Sequence, residues 1–174
     1  MRRGRLRGFE RRRKRRSMVK IPDEIRGLVS DAIRKLKEKY RDRLVSTVLY
    51  GSWARGEQKP TSDVDLLVIL EGPFRFVQAR REIYLLVNSP VAQVQISPLV
   101  LESSQAMRLQ PIHFELYADG KILYDKGNFM KNILQRVGEI IRNLGSERYR
   151  TRDGCYGWVL KKQMSPGEVI EVEL

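Results

Sequence analysis

Residues 64–70 (VDLLVIL) are apolar at every position but Asp65. A short, almost uninterrupted apolar run rich in branched side chains suits a strand buried on both faces. Such a strand needs a layer of structure above it and another below, so the rest of the chain must supply helices for both sides of a sheet. It does. Ile25, Leu28, Val29, Ala32, Ile33, Leu36 and Tyr40 share one face of a helix predicted over 23–43, with Pro22 at its start. Phe76, Ala79, Ile83, Leu86 and Val87 predict a second helix over 74–88, after the Gly72-Pro73 break and before Asn88-Ser89-Pro90.

Further strands flank the central one. Residues 45–50 (VSTVLY) read as a strand, followed by a short helical turn over 52–58. Residues 92–100 predict a third strand, with Val94 and Ile96 on one face and Gln93, Gln95 and Ser97 on the other. A helical segment over 103–118 and a short strand at Ile122-Leu123-Tyr124 follow. The last helix is predicted over 129–144, with Phe129, Ile133, Val137, Ile140, Ile141 and Leu144 inward and Gly145 at its end. The order predicts a compact α/β domain: a small mixed β-sheet flanked by helices, over 18–145, with residues 146–174 as an extension packed on it.

Charge is unevenly placed. Ten Arg and Lys against one Glu in residues 1–16 hold nine of the chain's thirteen net positive charges, so the body is only mildly basic. Residues 1–17 have little to bury and predict a basic disordered tail. It reads either as an arm that touches RNA or another acidic partner, or as an artefact of start assignment ahead of Met18. The second is favoured, because nothing downstream needs the tail. A single cysteine excludes an intrachain disulfide and fits a reducing, cytoplasmic setting. No apolar run reaches the ~18 residues of a membrane span.

The chemistry concentrates in Gly51-Ser52-Trp53-Ala54-Arg55-Gly56-Glu57 and, four residues on, Ser62-Asp63-Val64-Asp65-Leu66. A glycine at a strand end lets backbone come close to a ligand. Ser52 adds a hydroxyl and an amide at the start of a helical turn, where N–H groups favour anions. Together they suit the β- and γ-phosphates of a nucleotide, and Arg55 lies one turn on. Asp63 and Asp65, two apart on a strand, share a face. Two carboxylates so placed repel unless a cation joins them. Mg²⁺ suits them, because it takes carboxylate oxygens together with substrate phosphates, and a metal pair can steady both oxygens of a phosphoryl displacement.

The string GSWARGEQKPTSDVDLLV resembles the signature of minimal nucleotidyltransferases of the polymerase-β superfamily, GS-x-ARG-x(n)-SD-x-D. The SPLVL, DGKILYD and GW…PGEV segments extend the likeness to short archaeal members, from about residue 20 onward. The resemblance implies a polymerase-β-like fold and NMP transfer from an NTP, by default ATP, with Mg²⁺ or Mn²⁺. It implies nucleotide binding by Gly51, Ser52, Arg55 and Ser62, and metal binding and catalysis by Asp63 and Asp65. It also implies a partner, a small helical toxin-like protein that the transferase modifies as antitoxin. The acceptor hydroxyl is left open between protein, small molecule and RNA. The family has a third carboxylate on a later strand; its position here falls at Gln95, with Gln93 as second choice. An amide cannot accept a proton as a base.

Two other readings therefore stand beside the enzyme: a degenerate module that binds nucleotide and masks a partner, and an RNA-binding adaptor working through the tail. Elsewhere, His113 reads as a packed or solvated helix residue and Trp53 as packing beneath the loop. Cys155 lacks neighbours for a metal site, Tyr156 and Trp158 read as staples of the C-terminal segment, and Arg148, Arg150 and Arg152 as a solvated edge.

Overall fold

The computed structural model describes residues 21–172 and 174. The expected basic tail and Met18 lie outside the described residues. Four strands form one sheet in the order β3-β2-β1-β4: β1 (Leu44–Tyr50), β2 (Val64–Leu70), β3 (Ile96–Glu102) and β4 (Lys121–Asp125). β1 runs antiparallel to β2 and β4, while β2 and β3 are parallel, so the sheet is mixed.

Alternation along the buried strands builds a core on each face. Val64, Leu66, Val68 and Leu70 join Leu44, Leu49, Ile96 and Val100 beneath α1 (Asp23–Tyr40) and α3 (Phe76–Val87). Leu67, Ile69, Val45, Val48 and Leu101 face α5 (Pro111–Asp119) and α6 (Phe129–Leu144). The shortest helices, α2 (Gly51–Arg55) and α4 (Ser103–Ala106), close the ends of β1 and β3. A separate two-stranded hairpin, β5 (Glu147–Arg150) with β6 (Tyr156–Val159), packs on α5. There the Trp158 ring meets Phe114 at 5.5 Å and its indole N–H donates to Glu115 at 2.9 Å. No described helix is long and apolar enough to cross a membrane.

Four expectations need correction. α1 stops at Tyr40, because Arg41 takes φ +46°, and a 3-10 turn fills 41–43. The segment 103–118 is two helices, because Pro111 has no N–H to give a helix interior and instead opens α5. β3 begins at Ile96 rather than 92, because the Asn88 side chain takes both backbone groups of Ile96: Oδ1 accepts its N–H at 2.6 Å and Nδ2 donates to its carbonyl at 2.8 Å. On α6 the fully buried set is Met130, Ile133, Leu134, Val137 and Gly138, while Phe129, Ile140, Ile141 and Leu144 are half-buried.

Candidate active site

Antiparallel pairing brings the end of β1 beside the start of β2, with Tyr50 opposite Asp65. Gly51 follows at φ +73°, and its Cα lies flat against the Asp65 carboxylate: a Cβ there would stand 2.0 Å from Asp65 Oδ2. Ser52, next on α2, is half-buried. Asp65 is half-buried and Asp63 exposed, both before the second core face. Burial first, and then the charge of Asp63, raises the Asp65 carboxyl above its usual range, with Arg55 pulling the other way. Burial and the Asp65 charge push the Tyr50 phenol to about 12, so it stays protonated.

Trp53 ties the two halves together. It is 7% exposed, and its indole N–H donates to the Ser62 carbonyl at 3.0 Å. It packs beneath the loop, and it fixes the residue just before Asp63. Ser62 is part of that turn: its hydroxyl accepts from the Lys59 N–H at 2.9 Å. Arg55 bonds Glu57 at 3.0 Å, comes within 4.0 Å of Asp119 and lies over the Tyr156 ring at 4.9 Å. Its charge still reaches Asp65.

Gln95 lies beside Asp63, since its carbonyl accepts the Val64 N–H at 2.8 Å. Its side-chain amide turns to the preceding loop, where Nε2 donates to the carbonyls of Ala92 at 2.8 Å and Ser89 at 3.1 Å. Ser97 stands opposite Asp65 in the parallel register. Of the other singled-out residues, His113 is fully buried, with its pKa lowered by burial and its Nδ1 accepting from the Gln110 N–H at 3.0 Å. Cys155 is an exposed free thiol.

The sequence gives no sign of what the hairpin adds. The Tyr156 hydroxyl donates to Glu57 at 2.8 Å, and Arg150 approaches Glu57 at 3.6 Å. Arg148 pairs with Glu115 and, at 2.6 Å, with Asp119, under the Tyr156 ring at 3.9 Å. Arg148 is thus tied into the fold instead of lying on a solvated edge. The exposed face of α3, with Arg80, Arg81 and Tyr84, also borders Asp63 across a cavity. Its only sequence signal is the side of α3 left over once the apolar stripe is assigned.

Asp63 and Asp65 are the groups placed to hold a divalent cation. Among the described residues no cluster of three or more His, Cys, Asp and Glu side chains can do so. Two carboxylates, one of them resisting ionisation, with the remaining positions left to phosphate and water, fit Mg²⁺.

The chain matches the nucleotidyltransferase domain family over residues 29–116, half of its length, and belongs to that family. It is 32% identical over 125 residues to a Methanocaldococcus jannaschii protein named "Putative protein adenylyltransferase MJ1305", covering 69% of this chain and 85% of the relative. Among solved structures it is similar to spectinomycin adenyltransferase AAD(9) from Enterococcus faecialis with ATP and spectinomycin, at 13% identity and TM-score 0.49, covering 67% of each chain. It is also similar to a toxin-antitoxin complex with AMP-PNP, at 18% identity and TM-score 0.45, covering 66% of this chain and 90% of the other. The protein is a nucleotidyltransferase.

Proposed function

We propose that the chain transfers AMP from ATP to a hydroxyl of a protein. The observation that carries this reading is the Asp65 carboxylate laid against Gly51, with Asp63, just ahead of β2, near enough for its charge to act on Asp65. A relative named for protein adenylylation supports ATP and a protein acceptor. The small helical toxin-like subunit is the acceptor that the likeness to minimal nucleotidyltransferases suggests. Gly51 and Ser52 take the β- and γ-phosphates, and Arg55, oriented by Glu57 and Tyr156, adds positive charge at the same end. Mg²⁺ bound by the two acids would draw charge from the α-phosphate and the leaving oxygen. The acceptor oxygen bonds to the α-phosphorus, the bond to pyrophosphate breaks, and the hydroxyl proton passes to solvent beside the exposed Asp63.

Transfer of label from α-labelled ATP into the proteins of a source-organism lysate tests this, with Asp63→Ala/Asp65→Ala as control. Label that depends on both acids supports the reading and marks the acceptor band. Absence of label with all four NTPs sinks it. One observation favours a second reading, a non-catalytic module that masks its partner: at Gln95, where the family resemblance puts a third acid, stands an amide that is committed to the loop. That module would neutralise its partner equally well without Asp63 and Asp65.

A further inference from the structure

A cavity of about 480 Å³ opens from Asp63 and Gln95, runs past Ser97 and Pro98 of β3, and is walled by Phe76, Arg80, Arg81 and Tyr84 of α3. Its size is that of a small-ligand or side-chain pocket. We propose that this groove docks the acceptor, and that its occupant is an acidic polypeptide segment that brings a hydroxyl to Asp63. The proposal rests on the transferase reading above and adds to it where and by what chemistry the second substrate binds.

Placement is the first argument. β2 lies between β1 and β3. Gly51 and Ser52 approach the acids from the β1 side, and the groove approaches them from the β3 side. In-line displacement needs the attacking and leaving oxygens on opposite sides of one phosphorus. Two substrates flanking the acid pair meet that need.

Charge and exposure are the second. Arg80 and Arg81 are exposed, and among the described residues neither has an ion pair. The Arg80 charge is felt at Tyr50, whose backbone pairs with Asp65. Two unpaired guanidiniums fit carboxylates. Beside them Phe76 is 39% exposed, Tyr84 43% and Val77 83%. Exposed apolar surface interleaved with arginine marks a protein contact. Two arginines are too few to track a phosphate backbone, which takes a run of cations. Pro98 gives the free edge of β3 a position without an N–H, so docking falls to side chains instead of an added strand.

The test is fluorescence anisotropy of the full chain with labelled poly(Glu,Tyr), poly(Lys,Tyr) and a single-stranded RNA. Binding of a fluorescent ATP analogue is read in parallel. The expected result is binding of poly(Glu,Tyr), weakened about tenfold or more by Arg80→Glu/Arg81→Glu, with any RNA binding left unchanged by that pair. Phe76→Ala should weaken it too. Arg136→Glu/Arg142→Glu on α6 makes the same change in net charge and should leave binding intact. Circular dichroism checks that each variant is folded. The proposal is overturned if wild type ignores poly(Glu,Tyr), if the two pairs of variants behave alike, or if RNA or poly(Lys,Tyr) binds as well and loses as much in Arg80→Glu/Arg81→Glu. Failure of the ATP analogue to bind wild type would sink the transferase reading instead, and leave the groove result standing.

Discussion

A methyl group added at Gly51 would stand 2.0 Å from Asp65 Oδ2, on a backbone at φ +73° that side chains rarely adopt. Gly51→Ala must therefore strain the loop, at about 1–3 kcal/mol, and push the acid aside. Transfer should fall about a hundredfold in kcat/KM, as for an ångström-scale misplacement, and urea denaturation should show the stability cost. A variant with near-normal kcat/KM would remove Gly51 from the site. Asp65 has the opposite stability sign from most acids. Its folded pKa lies above the ordinary 3.8, because of burial and Asp63, so the favourable contribution exists while the group is protonated and is lost as pH rises through the folded value. At pH 7 the ionised group weighs on the fold. Without divalent cations, Asp65→Asn should raise Tm by about 1–3 °C at pH 7, a gain kept small by solvent screening, and change it little at pH 3. An equal shift at both pH values contradicts the assignment. That Gly51 would come close to a partner was legible, because a glycine at a strand end marks close approach; the partner, Asp65, became visible only in the strand pairing. The engagements of Ser62 with its own turn and of Gln95 with the loop were not legible, because residue type does not say which way an amide or hydroxyl points.

At the scale of elements, α5 and α6 pack closely because Gly138 has no side chain: a Cβ there would meet the Tyr117 ring at 2.6 Å. Gly138→Ala should cost about 1–3 kcal/mol by overpacking, measured by urea denaturation, and most of that cost should vanish in a Tyr117→Ala background. Equal costs in both backgrounds would show that the ring is not the obstacle. The hairpin meets the end of α2 through the Tyr156 ring over Arg55, and meets Glu57 just beyond through the Tyr156 hydroxyl and Arg150. Tyr156→Phe keeps the ring over Arg55 and Arg148 but removes the hydroxyl's bond to Glu57, leaving that carboxylate to Arg55 and Arg150. KM for ATP should rise about threefold or more with Tm barely moved; an unchanged KM would confine Tyr156 to packing. Helices and central strands were legible from their apolar periodicities. The start of β3 was not: VAQVQI alternates like a strand, but Asn88 takes the backbone groups of Ile96 and holds 92–95 as a loop. Nor was the hairpin, whose strands are four residues each and rest on long-range ion pairs.

Over the whole molecule, helices cover both faces of a mixed sheet, and the acids sit at one end of its second strand. The α/β class followed from the order of apolar strands and amphipathic helices along the chain. Strand order did not, because pairing between distant segments leaves no local mark. The family match ends at residue 116, yet Trp158 packs on Phe114 and Tyr156 reaches Glu57. A chain stopped after Gly145 should lose about 2–4 kcal/mol in denaturant titration and bind more of a hydrophobic dye; unchanged stability would make the hairpin an ornament. The Tyr156–Glu57 bond joins residues 99 apart in sequence. At roughly 5–20 residues per second, a ribosome makes the second partner about 5–20 s after the first. The Trp53–Ser62 tie, nine residues long, closes almost as soon as it is synthesised. During translation both partners of the Trp53–Ser62 tie are therefore present long before Tyr156 arrives at the end of the loop near Arg55.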